Sequence, residues 1–305
     1  MNNMDSCKEK KTFFSEIEAR KERGWAESEH KKKFSIYSCM KCNGWHLASI
    51  NRDDEIIIGI IQGITEFLPI SSSGHLVIFD TLSDSINLNT NDIAFLHIGT
   101  LFSIVVFYKD RLSQTFNNKN NLNHTMKTIL IAIVPAVIIG LFSPIQEVID
   151  NSDNLLTITG IAYLGFASLL LSYEFNKKNK EDGSVLFENI NTKQAFYIGL
   201  AQAIALVPGV SRSGITLIVA LYLGIKKSEA IYFSLLLGLP TIFGAWLLTF
   251  VQSSFAFNSE MIIPAIVSFA AGLLAINILV NFTLNAKLKY FGFYCLALSA
   301  LCLVN

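Results

Sequence analysis

The run QGITEFLPISSSGH at residues 62–75 sets an acid, Glu66, an imidazole, His75, and three consecutive hydroxyls, Ser71, Ser72 and Ser73, within otherwise apolar sequence. A second run, VPGVSRSG at 207–214, places Arg212 between Ser211 and Ser213, just after a Pro-Gly pair. Glu66 is the one acid, and Arg212 the one base, lying well inside an apolar segment. Unpartnered at membrane depth, each would cost about 3 kcal/mol or more, so each must face a partner or water. A Glu66–Arg212 pair that merely locks two segments together is one reading. A buried ion pair contributes little net stability, however, and the neighbouring serines supply more polar groups than a lock requires.

Arginine between serines at a helix start after Pro-Gly suits an anion. The guanidinium forks onto phosphate oxygens, and the free N–H groups of a loop and helix N-terminus point the same way. SSSG ahead of a helix offers a second such nest. Carboxylate, amide and hydroxyl groups are also the hard oxygen ligands that Mg²⁺ or Ca²⁺ takes when bridging protein and phosphate. His75 can move a proton near neutral pH, and a serine within its reach could be activated as a nucleophile. The set reads as phosphate-ester or diphosphate chemistry at a membrane.

Such groups need elements that hold them at membrane depth, and the composition supplies these. Of the 305 residues 51% are hydrophobic and 16% charged, and the mean hydropathy is +0.45. A span needs about 20 apolar residues. Segments 92–108, 126–143, 154–173, 229–251 and 261–281 meet that length, and 287–304 is a slightly short sixth. Two further apolar stretches, 55–79 and 196–224, are broken near their centres by Pro, Gly and Ser. Irregular backbone at that depth is tolerated only when buried in protein or lining a wet cavity.

Aligned without gaps, the two breaks match at Gln62/Gln202, Ile64/Ile204, Ser71/Ser211, Ser73/Ser213 and Gly74/Gly214. Gly99 and Gly238 follow the paired glycines at nearly equal distances. If each broken stretch is a hairpin that enters and leaves on one face, three intervening spans deliver the second from the opposite face. The expected fold is therefore an all-α polytopic membrane protein: six full transmembrane helices plus two re-entrant helix–loop–helix hairpins in an inverted repeat, their tips meeting near the midplane.

Residues 1–52 differ from the rest. They hold 11 of the 24 Lys and Arg and have no apolar stretch long enough for a signal peptide or span. The expectation is a basic extension that is either disordered or a start-site artefact, translation then starting near Met40 or Asn51 unless 55–79 crosses the membrane after all, and a membrane-embedded domain at 53–305. Cys39 and Cys42 in CMKC, with His46 nearby, form half of a zinc pattern. Only Cys7 and His30 remain to complete it, and no metal is expected there. Cys295 and Cys302 read as small packing residues in the last apolar run.

GIIQGITEFLPISSSGHL at 59–76 and VPGVSRSG at 207–214 resemble the two signature motifs of the undecaprenyl-diphosphate phosphatase family, associated with bacitracin resistance in bacteria. DIAFLHIGTLFSIVVFYKDRL at 92–112 and SEAIYFSLLLGLP at 228–240 extend the resemblance, which covers residues 53–305. It implies hydrolysis of undecaprenyl diphosphate to the undecaprenyl phosphate that carries sugars for cell-wall synthesis. By position, Glu66 is the motif acid that binds metal or assists proton transfer, and Arg212 the phosphate-holding arginine. Ser72 is the serine proposed as nucleophile, and His75 the essential histidine. Ser71, Ser73, Ser211, Ser213 and Gln62 would supply further substrate contacts. The family pattern often has an acid where Gln62 stands, so a divalent cation, Mg²⁺ or Ca²⁺, would be held mainly by Glu66 and the substrate. His97, in the span 92–108, reads as a satisfied core histidine.

A transporter for a lipid phosphate or anion would use Arg212 in the same way, and inverted repeats are common there. SSSGH favours the enzyme, because anion release needs neither nucleophile nor proton shuttle. A membrane scaffold would leave Glu66 and Arg212 without purpose. The loop 109–127 carries Lys109, Arg111, Lys119 and Lys127 against Asp110, whereas 144–153 carries only acids, which makes the former cytoplasmic. The expected location is the bacterial plasma (inner) membrane, with the site reached from the outer face. The expected partners are a polyprenyl diphosphate and the bilayer, with a homodimer open and no nucleic acid.

Overall fold

The computed structural model describes residues 11–30, 33–39, 42, 44–50, 52–82, 90–144, 148–149, 152, 154–176, 182–252 and 261–304. The described residues of 11–50 carry regular structure where an unstructured extension was expected. Helix α1 (Glu16–His30) is followed by an antiparallel hairpin of β1 (Lys33–Cys39) and β2 (Gly44–Ile50). Ser15 starts α1 by accepting from Glu18 N at 3.2 Å, a cap that satisfies one of the free N–H groups of the first turn.

From residue 52 onward the described chain is almost wholly helical. Its first half holds α2 (Arg52–Phe67), α3 (Ser72–Leu82), α4 (Thr90–Phe107), α5 (Lys109–Asn117), α6 (Lys119–Phe142) and α7 (Leu155–Phe175). The second holds α8 (Thr192–Ile204), α9 (Arg212–Tyr222), α10 (Lys227–Gln252), α11 (Ile262–Leu284) and α12 (Lys289–Val304). Within α6, α7, α10 and α11 lie four stretches long and apolar enough to cross a membrane. The span expected at 92–108 ends in a bend of 73° between α4 and α5, and counts as a fifth if that pair is one span. The expected sixth is α12, which at 16 residues is short, as its sequence suggests. The molecule is an all-α polytopic membrane protein.

The two broken stretches appear as α2–α3 and α8–α9, with breaks at 68–71 and 205–211. At 16 residues α2 is roughly 24 Å long and at 11 residues α3 and α9 are roughly 16 Å, so no arm covers the hydrocarbon alone. Their partners are exchanged between halves. Helix α2 lies along α11, α8 lies along α6, and α7 pairs with α12. Each half thus supplies a helix on which the other half's broken unit rests. The shared core includes Phe67, Tyr163, Phe166, Leu217, Phe233 and Leu236.

Lipid tails are as apolar as leucine, so helices here associate through close packing. A Cβ on Gly63 would lie 2.5 Å from Ser268 O and 2.6 Å from Ala271 Cβ, and one on Gly199 would lie 2.6 Å from Ala132 O. Glycine at these two contacts lets the helices approach closely. Gly63→Val should therefore force α2 off α11 and cost about 1–3 kcal/mol, read as a lowered unfolding temperature in detergent. Gly165→Val, where a Cβ meets nothing within 4 Å, is the control expected to leave it unchanged.

Candidate active site

The tips of the two broken units clasp each other through the serines that repeat. Ser71 Oγ accepts from Gly74 N at 3.3 Å, and Ser211 Oγ accepts from Gly214 N at 3.2 Å, so each caps the helix that follows it. Across the join, Gly209 N donates to Ser71 Oγ at 3.2 Å, while Ser211 Oγ donates to Leu68 O at 3.3 Å. Ser213 Oγ donates to Phe67 O at 3.0 Å. These bonds satisfy backbone groups freed by the two breaks, which lipid could not.

Ser71 has φ +64°, left-handed backbone that is uncommon for a residue other than glycine. Its carbonyl is correspondingly held. It accepts from His75 N at 3.2 Å and Tyr163 Oη at 3.2 Å, and His75 Nδ1 lies 2.7 Å away. His75 Nε2 is 2.9 Å from Tyr294 Oη, and the two rings stack. Both ring nitrogens of His75 are thus engaged behind the serine loop.

Beside the clasp lies a cavity of about 290 Å³ lined by Glu66, Ser72, Ser73, His97, Arg212 and Thr241, with Ala205, Ile242 and Ala245 as an apolar wall. Ser72 and Arg212 occupy the first positions of α3 and α9, so two helix N-termini meet here and favour negative charge. Glu66 is the one carboxylate among the lining residues. Its Oε1 accepts from Arg212 Nη2 at 2.7 Å, and its Oε2 accepts from Ser72 Oγ at 2.9 Å and Gln62 Nε2 at 3.0 Å. The Glu66 and Arg212 side chains are 7% and 17% exposed. Two buried atoms of this group, Arg212 Nη1 and Gln62 Oε1, have no hydrogen-bond partner. One donor and one acceptor are therefore left over.

His97 is the residue that sequence reasoning assigned to the core. Its Nδ1 lies 2.8 Å from Ile93 O, and its Nε2 lies 3.2 Å from Gln62 Nε2 and 3.5 Å from Glu66 Oε2. With Nδ1–H donated to the carbonyl, Nε2 is the acceptor and the Gln62 amide bridges it to Glu66. A signal for this position existed. An ionisable residue inside an apolar span points to a site, and that reasoning, applied to Glu66 and Arg212, holds equally for His97. Tyr163 and Tyr294 carried no such signal, since aromatic residues are ordinary in membrane helices.

Of the expected site residues, the fold brings Glu66, Ser72, Ser73, Arg212 and Gln62 to one group. Ser71 and Ser211 reach the cavity wall, but their hydroxyls serve the clasp, as does that of Ser213, and His75 stands behind the loop. Ser72 bonds to a carboxylate and not to an imidazole. A hydroxyl against a buried carboxylate, next to a guanidinium with a spare N–H, can attack and hold a phosphoryl group.

A polytopic helical protein with paired broken helices around a polar cavity is the class that fold and site define. Residues 55–301 match the family model described as bacitracin resistance protein BacA, and the chain belongs to that family. It is similar to the undecaprenyl-diphosphatase of Thermosipho africanus, at 40% identity over 81% of this chain and 97% of the relative. It is also similar to undecaprenyl-diphosphatases of Methanococcus maripaludis (39% identity, 79% of this chain and 95% of the relative) and Thermotoga maritima (32%, 81% and 98%).

The depth of the ion pair has a measurable consequence. Removing one partner leaves a buried charge uncompensated and costs about 3–5 kcal/mol, whereas replacing both is far milder. Glu66→Gln and Arg212→Met should each lower the unfolding temperature in detergent strongly, and the double variant should recover most of the loss. Additive losses would show that the pair is not coupled.

Proposed function

We propose that this protein hydrolyses undecaprenyl diphosphate to undecaprenyl phosphate and inorganic phosphate, returning the lipid carrier to cell-wall synthesis. The observation that carries this reading is Arg212 Nη1, a buried donor without a partner beside the Ser72–Glu66 pair. The names of the relatives supply the lipid.

Arg212 holds a phosphoryl oxygen through Nη1 while Nη2 stays on Glu66, and the starts of α3 and α9 stabilise charge on the diphosphate. Ser72 Oγ forms a bond to the terminal phosphorus as the bridging P–O bond breaks, and undecaprenyl phosphate departs. Glu66 takes the hydroxyl proton, with His97 Nε2 next to the same carboxylate oxygen. Water then cleaves the phosphoserine, releasing inorganic phosphate and restoring the hydroxyl proton. His75 acts by positioning the Ser71–Ser73 loop through the Ser71 carbonyl.

A divalent cation, Mg²⁺ or Ca²⁺, fits this donor set through Glu66 and the unpartnered Gln62 Oε1, with substrate phosphates and water completing its shell. When bound it would neutralise diphosphate charge. The prenyl chain has a matching surface. An apolar groove of about 520 Å³ between α7 and the α8–α9 break shares Val210 with the polar cavity. The basic residues of 109–127, helical in the structure and not a loop, support a cytoplasmic position for that segment and a site reached from the outer face of the inner membrane.

Phosphate release from undecaprenyl diphosphate by purified protein in detergent tests the reading directly, because transport needs a sealed bilayer and hydrolysis does not. Release that is absent in detergent, with lipid phosphate moved across vesicles, would support a transporter. Arg212→Lys should hydrolyse as poorly as Arg212→Ala, at least 100-fold below the parent, since a point charge cannot reproduce the fork. Near-parental release by the lysine variant would remove the role given to Arg212. Ser72→Ala should abolish turnover while lipid binding survives, and acid-quenched parent protein should carry phosphate on Ser72. Substantial turnover in the alanine variant would make water the nucleophile.

A further inference from the structure

The cluster that the membrane chemistry leaves unused lies in the N-terminal unit. Cys39 closes β1, Cys42 stands in the turn, and His46 lies in β2, paired opposite Tyr37. Their potential ligand atoms all lie within 4.8 Å of one another. Sequence reading set this motif aside for want of ligands. The hairpin folds Cys-x₂-Cys-x₃-His so that three of them converge.

Three further observations point to a ligand there. First, His46 is 1% exposed, and its Nε2 faces Cys42 Sγ at 3.1 Å while its Nδ1 lies 3.0 Å from Lys11 O. An imidazole that gives one N–H to a backbone carbonyl and turns the other nitrogen to a thiol has the orientation of a metal-ligating histidine. Second, the segment carrying Lys11 is drawn over the knuckle. Phe13 N donates to Trp45 O at 2.7 Å, Trp45 N donates to Phe13 O at 2.8 Å, and a Cβ on Gly44 would press on Phe13 O at 3.3 Å. Third, this unit is small and has little core of its own. Its buried apolar side chains are Phe13, Ala19 and Ala26 among the described residues, and units of roughly 40 residues commonly need a metal or disulfide.

We propose that Cys39, Cys42 and His46 form a structural zinc site that ties the hairpin to the segment before α1. Two thiolates and an imidazole select zinc over the hard cations, and tetrahedral bond lengths would set the ligand atoms about 3.5–3.8 Å apart, a spacing this cluster reaches with small shifts. The fourth position is left to water or to a ligand from outside the described residues, where Cys7 lies. His30 is placed elsewhere, edge-on between Trp25 and Phe34.

The test uses the full chain, purified in detergent through a tag without histidines, with zinc measured by mass spectrometry. About one zinc per chain is expected. Cys39→Ser/Cys42→Ser should fall to background while phosphate release stays at the parental rate, which separates this site from the membrane cavity. Cobalt loaded in place of zinc should give tetrahedral visible bands and thiolate charge-transfer absorption. Cys42→His should keep the cobalt with weaker charge transfer, so loss of metal is not mistaken for loss of fold. Cys7→Ser distinguishes Cys7 from water as fourth ligand by the same spectrum. The proposal fails if the double serine variant keeps its zinc. It also fails if the parent chain, reduced and supplied with zinc, binds none, or if it is recovered from cells with Cys39 and Cys42 joined as a disulfide.

Discussion

A carboxylate and a guanidinium drawn out of water must find each other, and here that requirement decides where two distant breaks in the chain have to meet. Glu66 ends the first arm of one broken unit and Arg212 begins the second arm of the other, so their 2.7 Å contact joins the tips. The pair contributes little as a source of stability, because desolvation offsets most of its attraction. Its importance is registration. Once these charges are in contact, the serine hydroxyls come within reach of the opposite loop, and the helix starts converge on one cavity.

The fold separates polar groups by task within a few ångströms. Ser71, Ser211 and Ser213 spend their hydroxyls on backbone, as they must, since a break in a membrane helix exposes N–H and C=O groups that lipid cannot satisfy. Ser72 is free of that duty because it occupies the first turn of α3, where its side chain faces the cavity and the carboxylate. The same division holds for the histidines. His75 supports a strained serine from behind, and His97 reaches the carboxylate through the Gln62 amide.

The N-terminal unit and the helical remainder bury apolar side chains on different scales. Residues 52–304 bury apolar helices in lipid and in one another, and the exchange of α2 and α8 onto the opposite halves makes one core of the two repeats. The described part of 11–50 has too few apolar side chains for such a core. It holds a capped helix, a hairpin and the converging side chains of Cys39, Cys42 and His46.

Much of this was legible in the chain itself. Apolar runs of span length, two interruptions with matching residues, and one acid and one base at depth each follow from the cost of polar groups in hydrocarbon, which is a local property of sequence. Those costs determined the fold class and the need of Glu66 and Arg212 each to face a partner or water. What they could not determine is which neighbour each remaining polar group would choose. His75 and His97 are both histidines in apolar surroundings, and only the packing of α7 and α12 around one and of α2 beside the other assigns them to support and to cavity. Cys39, Cys42 and His46 are three residues of an incomplete pattern until a two-stranded register folds them together. Direction and distance between side chains depend on helices far apart in sequence, and so belong to the tertiary structure.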